Sequence, residues 1–198
     1  MARRRAADGG AAPLELVGRA NLRRALGFGV GLFVWFAFST PYERTVAAAA
    51  GPLLRAFESP AVTRLSVSPG QFHVDRADFP PDSPRPGLPA DDLHFNFVLL
   101  AALFALGRHP LSGRNVARFW IAAALLWGIH VLALVFQVEA LYATRLGPWS
   151  EAHYGGFARN VWAAGFHFYE IAGRFAAPFA LWWGLGRGTR PPKADPRQ

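Results

Sequence analysis

The chain has 198 residues, a net charge of +8, 52% hydrophobic residues with 17 Phe and 7 Trp, and no cysteine. Without cysteine there is no disulfide framework, no zinc-thiolate site and no thiol nucleophile. A basic chain that is also half apolar does not read as a nucleic-acid-binding domain, and its composition places it among integral membrane proteins, with the lipid bilayer as its first partner.

In chain order, a basic segment (1–24) precedes a first predicted span at about 25–40, in which Gly27 and Gly31 form a G-x-x-x-G pattern that permits close helix approach. Ala37-Phe38-Ser39 suits a signal-peptidase site, but the long charged lead and Pro41 favour an uncleaved signal anchor. An insert outside the membrane follows at 41–92. Within Tyr42 to Glu58 apolar residues recur at Val46, Ala50, Leu53, Leu54 and Phe57, predicting an amphipathic helix that Gly51-Pro52 should kink or divide. Leu65 and Val67, then Phe72 and Val74, alternate with polar residues around Ser68-Pro69-Gly70-Gln71, predicting a β-hairpin with a type II turn. The proline-rich stretch from Phe79 to Ala90 should be an extended loop. Three further spans are predicted at about 93–107, 119–138 and 161–185, and a basic tail occupies 187–198. The alternation in Leu93-His94-Phe95-Asn96-Phe97 could equally be a strand leading into the second span.

Orientation follows from the basic residues. Six arginines precede the first span, three lie between the second and third, and four basic residues follow the fourth, which is thirteen of the 21. Retention of Lys and Arg on the cytoplasmic side predicts a multi-pass bacterial inner-membrane protein with both termini cytoplasmic. The fold expected is mainly α, a four-transmembrane-helix bundle in a membrane domain at 25–186. The insert is too small to build a core alone and must pack on the outer leaflet, the span ends or another protein. Leu53, Leu54, Phe57, Leu65, Val67, Phe72 and Val74 are its candidate partner surface.

The sharpest polar constellation is in the fourth span, where His167, Glu170 and Arg174 lie close to one helical face. A structural Glu170–Arg174 pair is expected, its remaining hydrogen bonds met by His130 or Gln137 of the third span, with a proton-relay, metal or substrate role as the alternative. His130, a single histidine on an apolar helix, is expected to be a hydrogen-bonded interhelical contact. Neither His73 with Asp75 and Asp78 nor His153 with Glu151 has a recognised ligand spacing, so no metal and no cofactor is expected. No phosphate-binding, dinucleotide or nucleophile-elbow motif is present, and no catalytic residue is assigned.

The layout, with the closing run Phe166-His167-Phe168-Tyr169-Glu170-Ile171-Ala172-Gly173-Arg174 followed by Pro178 and Leu181-Trp182-Trp183, resembles the small exosortase-associated integral membrane proteins of Gram-negative bacteria. Asn115-Val116-Ala117-Arg118 and His153 resemble segments of the catalytic relatives, which are transpeptidases using Cys, Arg and His. Two departures stop the carry-over: the nucleophilic cysteine is missing, and Arg118 and His153 fall on opposite faces of the predicted membrane. The resemblance implies a non-catalytic accessory role toward an exosortase-type enzyme or its sorted substrates. The alternative is a small membrane enzyme or proton-coupled carrier using His167, Glu170 and Arg174.

Overall fold

A computed structural model describes residues 12–58, 61–79, 85–106 and 110–186. The chain divides into two units, Met1–Ala37 and Phe38–Gln198, and the core lies in the second. Helix α1 runs from Ala12 to Phe57 without a break. The amphipathic helix foreseen at Tyr42 to Glu58 is therefore the continuation of the first predicted span, and Gly51-Pro52 does not divide it. In its second half Glu43, Val46, Ala47, Ala50, Gly51 and Leu54 are buried at helical spacing, whereas Pro52 lies on the exposed side. There the lost backbone hydrogen bond is on the water-facing rim of the helix, and the packed stripe holds the helix together. Gly27 and Gly31 lie outside the residues whose side-chain surroundings are described.

The hairpin is present. Strands β1 (Thr63–Ser68) and β2 (Gln71–Arg76) pair antiparallel from Ser68↔Gln71 to Thr63↔Arg76. Pro69 and Gly70 occupy the central turn positions, and Gly70 takes a φ of 74°, the left-handed value a type II turn requires. The loop expected after it is in part a third strand, β3 (Gly87–Pro89), which pairs Leu88 with Phe72. Two backbone bonds reinforce this edge: Val74 N–H donates to Pro86 O at 3.0 Å and Ala90 N–H to Gly70 O at 2.9 Å. Proline suits an edge because it has no ladder donor to lose.

Helices α2 (Asp91–His94) and α3 (Asn96–Ala105) follow directly, so Leu93 to Phe97 is helical and not a strand. Ser112 caps α4 (Gly113–Thr144) by accepting from Asn115 N–H at 3.4 Å. The Asn115 amide closes the connection by donating to Pro110 O at 3.1 Å and Phe104 O at 3.3 Å. After α4, the short α5 (Pro148–His153) is pinned by Ser150, which donates to Tyr142 O at 2.6 Å and accepts from Leu146 N–H at 3.0 Å. A last helical run comprises α6 (Gly156–Phe168), a π turn (Tyr169–Gly173) and α7 (Arg174–Gly186).

The result is a mainly helical fold with one small three-stranded sheet. Among the described residues, one helix, α4, is by itself long and apolar enough to cross a membrane. With 10 residues, α3 rises about 15 Å, half of the roughly 30 Å hydrocarbon core. Large apolar side chains nevertheless stand exposed on the helices: Trp120, Ile121, Leu125 and Leu132 on α4, and Phe168, Ile171, Phe175, Phe179 and Trp183 along the last run.

The sheet has no core of its own. Phe72, Val74 and Leu88 join Val46, Ala50 and Leu54 of α1 and Val131, Leu134, Val138 and Tyr142 of α4 in one buried cluster. Of the seven residues expected to form a partner surface, Leu54, Phe72 and Val74 are fully buried there. They cover each other and α4 and are not presented outward. Leu65 and Val67 are half-buried against the same cluster, and only Leu53 and Phe57 are exposed. A second cluster joins Leu100 and Phe104 of α3 to Ala122 and Leu126 of α4, with Leu181 and Trp182 of α7 alongside.

Helices α4 and α6 come close because residue 165 has no side chain: a Cβ there would overlap the Phe136 ring. Gly165→Ala should lower stability by about 1–3 kcal/mol, the usual penalty for overpacking. Combining it with Phe136→Leu should recover part of the loss. Thermal unfolding of the detergent-solubilised protein measures both, and an unchanged melting temperature for the single variant would show that the ring moves aside freely.

Candidate functional site

Among the described residues, two polar centres lie inside the fold. The first is a relay through His130 of α4. Tyr42 Oη is 2.5 Å from His130 Nδ1, and His130 Nε2 is 2.7 Å from Asn96 Oδ1. An amide oxygen cannot donate, so Nε2 carries the proton and Nδ1 accepts from the Tyr42 hydroxyl. Asn96 then uses its amide nitrogen to donate to Tyr169 Oη at 3.4 Å, and that hydroxyl donates to Leu93 O at 2.5 Å. Every proton points the same way, from α1 through α4 and α3 to the π turn and back to the α2 backbone. Beside it, His94 Nε2 donates to Glu43 Oε1 at 2.9 Å, both side chains being almost wholly buried.

The expectation for His130 as an interhelical contact holds, but its partners are Tyr42 and Asn96. Gln137 is not among them, and its Oε1 is buried without a hydrogen bond. Glu170 does not pair with Arg174. It faces His167, at 3.6 Å from Nδ1 to Oε2, with both side chains exposed, and Arg174 reaches Asp92 at 3.3 Å. Arg174 is drawn instead to the carboxylate of Asp92 on α2. His73 accepts or donates a bond with Ser68 Oγ at 2.7 Å, and His153 stacks on Trp149 at 4.2 Å between ring centroids.

The second centre ties the sheet to the end of α4. Arg76 on β2 pairs with Glu58 at 3.2 Å and with Asp78 at 2.9 Å. Its guanidinium lies 5.0 Å from the ring centroids of both Tyr142 and Trp149 and 5.9 Å from that of Phe79. Thr63 bridges Glu58 and Tyr142, its hydroxyl bonding both and its N–H donating to Glu58 Oε2 at 3.0 Å. Burial disfavours the Arg76 charge, yet the Asp78 hydrogen bond and the Asp78 and Glu58 charges outweigh it, so its pKa is raised. The same hydrogen bond holds the Asp78 carboxyl below the usual carboxylate range. Tyr154, which donates to Glu139 at 2.9 Å, is pushed up by burial and then by that carboxylate.

Sequence reading missed Tyr42, Glu43, His94, Asn96 and Tyr169 of the first centre, and Glu58 and Arg76 of the second. The available signal was polarity in apolar surroundings: His94 and Asn96 stand inside Leu93 to Leu106, and Glu43 stands on the apolar stripe of α1.

His130→Leu should destabilise the protein by about 2–5 kcal/mol, because it strands a buried hydroxyl and a buried amide at once. Tyr42→Phe, which removes one member, should cost less. Arg76→Ala should cost about 3–5 kcal/mol by leaving Glu58 buried and unpaired, and Arg76→Met with Glu58→Gln should recover much of it. Thermal melts in detergent read these values. In acid, the folded Asp78 pKa lies below its unfolded value, so its contribution is complete above the unfolded pKa and is lost as pH falls through the folded one. Asp78→Asn should therefore flatten the stability profile in that window, near pH 4 and below.

A family model described as exosortase H-associated membrane protein matches residues 15–189. No curated protein and no solved structure matches the chain. The helical frame, the span-length α4 and a match over most of the chain agree, and the chain belongs to the exosortase H-associated membrane protein family.

Proposed function

We propose that the protein is a non-catalytic accessory of the bacterial inner membrane that holds an exosortase-type enzyme, or the proteins it sorts, through the outward face of its last helical run. Family membership supports the exosortase link. The observation that carries the contact is the exposed His167–Glu170 pair. It falls near the middle of the run 156–186, flanked by exposed Phe168, Ile171 and Phe175. In a spanning helix, lipid is a costly neighbour for such groups, which almost always face protein or water. A partner helix offering a hydrogen-bonding or basic side chain removes that cost.

In this reading the run 156–186, the consecutive helices α2 and α3 taken together, and the first predicted span cross the membrane with α4. The Arg114 and Arg118 end of α4 faces the cytoplasm and the sheet lies outside. The separation of these groups supports a role without catalysis: the relay through His130 ends on the Leu93 carbonyl, His167 and Glu170 pair with each other, and Arg174 reaches Asp92. No specific observation favours the carrier alternative.

Glu170→Leu with His167→Leu should leave the folded protein level in membranes unchanged or higher, since two polar groups leave an apolar face. It should reduce co-purification of the exosortase at least about tenfold, the loss expected when a desolvated polar contact worth 1.4 kcal/mol or more is removed. Full recovery of the enzyme with this variant would sink the assignment. Topology is tested separately with cysteines at the exposed Ser66 and Ser112, in a chain that has none. A membrane-impermeant thiol reagent on intact spheroplasts should label Ser66→Cys and spare Ser112→Cys.

A further inference from the structure

We infer that Glu43, Asp91 and His94 form a binding site for a divalent transition-metal cation, a reading independent of the exosortase assignment. The three side chains each bring one ligand atom to within 4.8 Å of the others. Asp91 and His94 sit one turn apart on α2, and Glu43 faces them from α1. The donor set is one imidazole nitrogen and two carboxylate oxygens, which suits Zn²⁺ or a neighbouring first-row ion better than Mg²⁺ or Ca²⁺, since those prefer all-oxygen shells.

Glu43 supplies the independent observation. It is 1% exposed, and its Oε2 is buried with no hydrogen-bond partner. A carboxylate that far from water is costly when one oxygen makes no bond, and a cation bound against it would satisfy that oxygen. The proton that His94 Nε2 shares with Glu43 Oε1 occupies the position a metal would take, so binding requires the neutral ring to carry its proton on Nδ1, which leaves the Nε2 lone pair as the ligand.

The remaining geometry supports access and rigidity. Asp91 is exposed, which opens one side of the site to solvent. The hairpin turn stands over it: a Cβ on Gly70 would lie 3.5 Å from Asp91 Oδ2, and Ala90 N–H is bonded to Gly70 O. Next to His94, the relay of His130, Asn96 and Tyr169 fixes the backbone from which α2 projects, because Tyr169 donates to Leu93 O. A cation here would fasten α1 to α2 at the point where the sheet joins the helices.

Sequence spacing could not reveal this site, because Glu43 and His94 are separated by 51 positions. The test uses the full chain purified in detergent through a histidine-free tag, stripped with a chelator, dialysed and titrated with ZnCl₂. One Zn²⁺ per chain is expected by elemental analysis, together with a rise in melting temperature, since a ligand that binds only the folded state stabilises it. Glu43→Gln and His94→Gln should each lose the bound ion. Should those buried variants fail to fold, exposed Asp91→Asn remains decisive, and its Zn²⁺ affinity should fall about tenfold or more. His153→Gln should bind as the unaltered chain does. Absence of stoichiometric Zn²⁺ on the unaltered protein, or an unchanged affinity in Asp91→Asn, would overturn the site. Displacement of Zn²⁺ by an equal concentration of Mg²⁺ or Ca²⁺ would overturn the transition-metal assignment.

Discussion

His130 is the side chain on which the helical packing depends. An apolar interior sets no direction: α1, α3 and the last helical run could slide against α4 with little change in buried area. A neutral imidazole with one donor and one acceptor nitrogen removes that freedom, because Tyr42 must approach Nδ1 and Asn96 must approach Nε2. Tyr169 then extends the order to the π turn and the α2 backbone. Each bond is worth only about 0.5–1.5 kcal/mol net, but misalignment would strand several buried groups at about 1–3 kcal/mol each. The relay thus specifies one arrangement more strongly than it stabilises it.

The sheet depends on the helices in the same way. Two six-residue strands and a three-residue edge strand bury too little surface to fold alone, so Phe72 and Val74 borrow their core from α1 and α4. Arg76 fixes the orientation of that docking. Its charge is balanced by Glu58 at the end of α1 and Asp78 after β2, and its flat face is lined by Tyr142 and Trp149. A guanidinium satisfies this mixed shell because it is planar, forked and weakly hydrated, which an ammonium is not.

The membrane class, the helical content and the hairpin with its Pro69-Gly70 turn were legible, since each follows from local composition or spacing. The long α4 was legible for the same reason, as was the role of His130. What escaped were features set by distant contacts. Pro52 looked like a break because its exposure on the outer side of α1 is a tertiary fact. Leu54, Phe72 and Val74 looked like a free apolar surface because nothing in the sequence says that they cover one another. Glu43, His94, Asn96 and Tyr169 come from three separate stretches of chain, and only folding joins them. The Glu170–Arg174 pairing failed for the same reason, since Asp92 of α2, far from Arg174 in the chain, takes the guanidinium.

The π turn changes how the last helical run responds to length. It holds one more residue than an α-helix of the same rise, so losing a single residue between Tyr169 and Gly173 would let the turn close into regular α-helix, with the helix on either side keeping nearly the same rotation and rise. Tyr169 would keep its place under Leu93 and Arg174 its approach to Asp92. Gly173 lets the turn close, because a Cβ there would lie 2.9 Å from the Tyr169 ring. The two halves of the run therefore tolerate the loss of one residue at the turn, whereas a residue lost from α6 or α7, where the winding is regular, would rotate everything beyond it by about 100°.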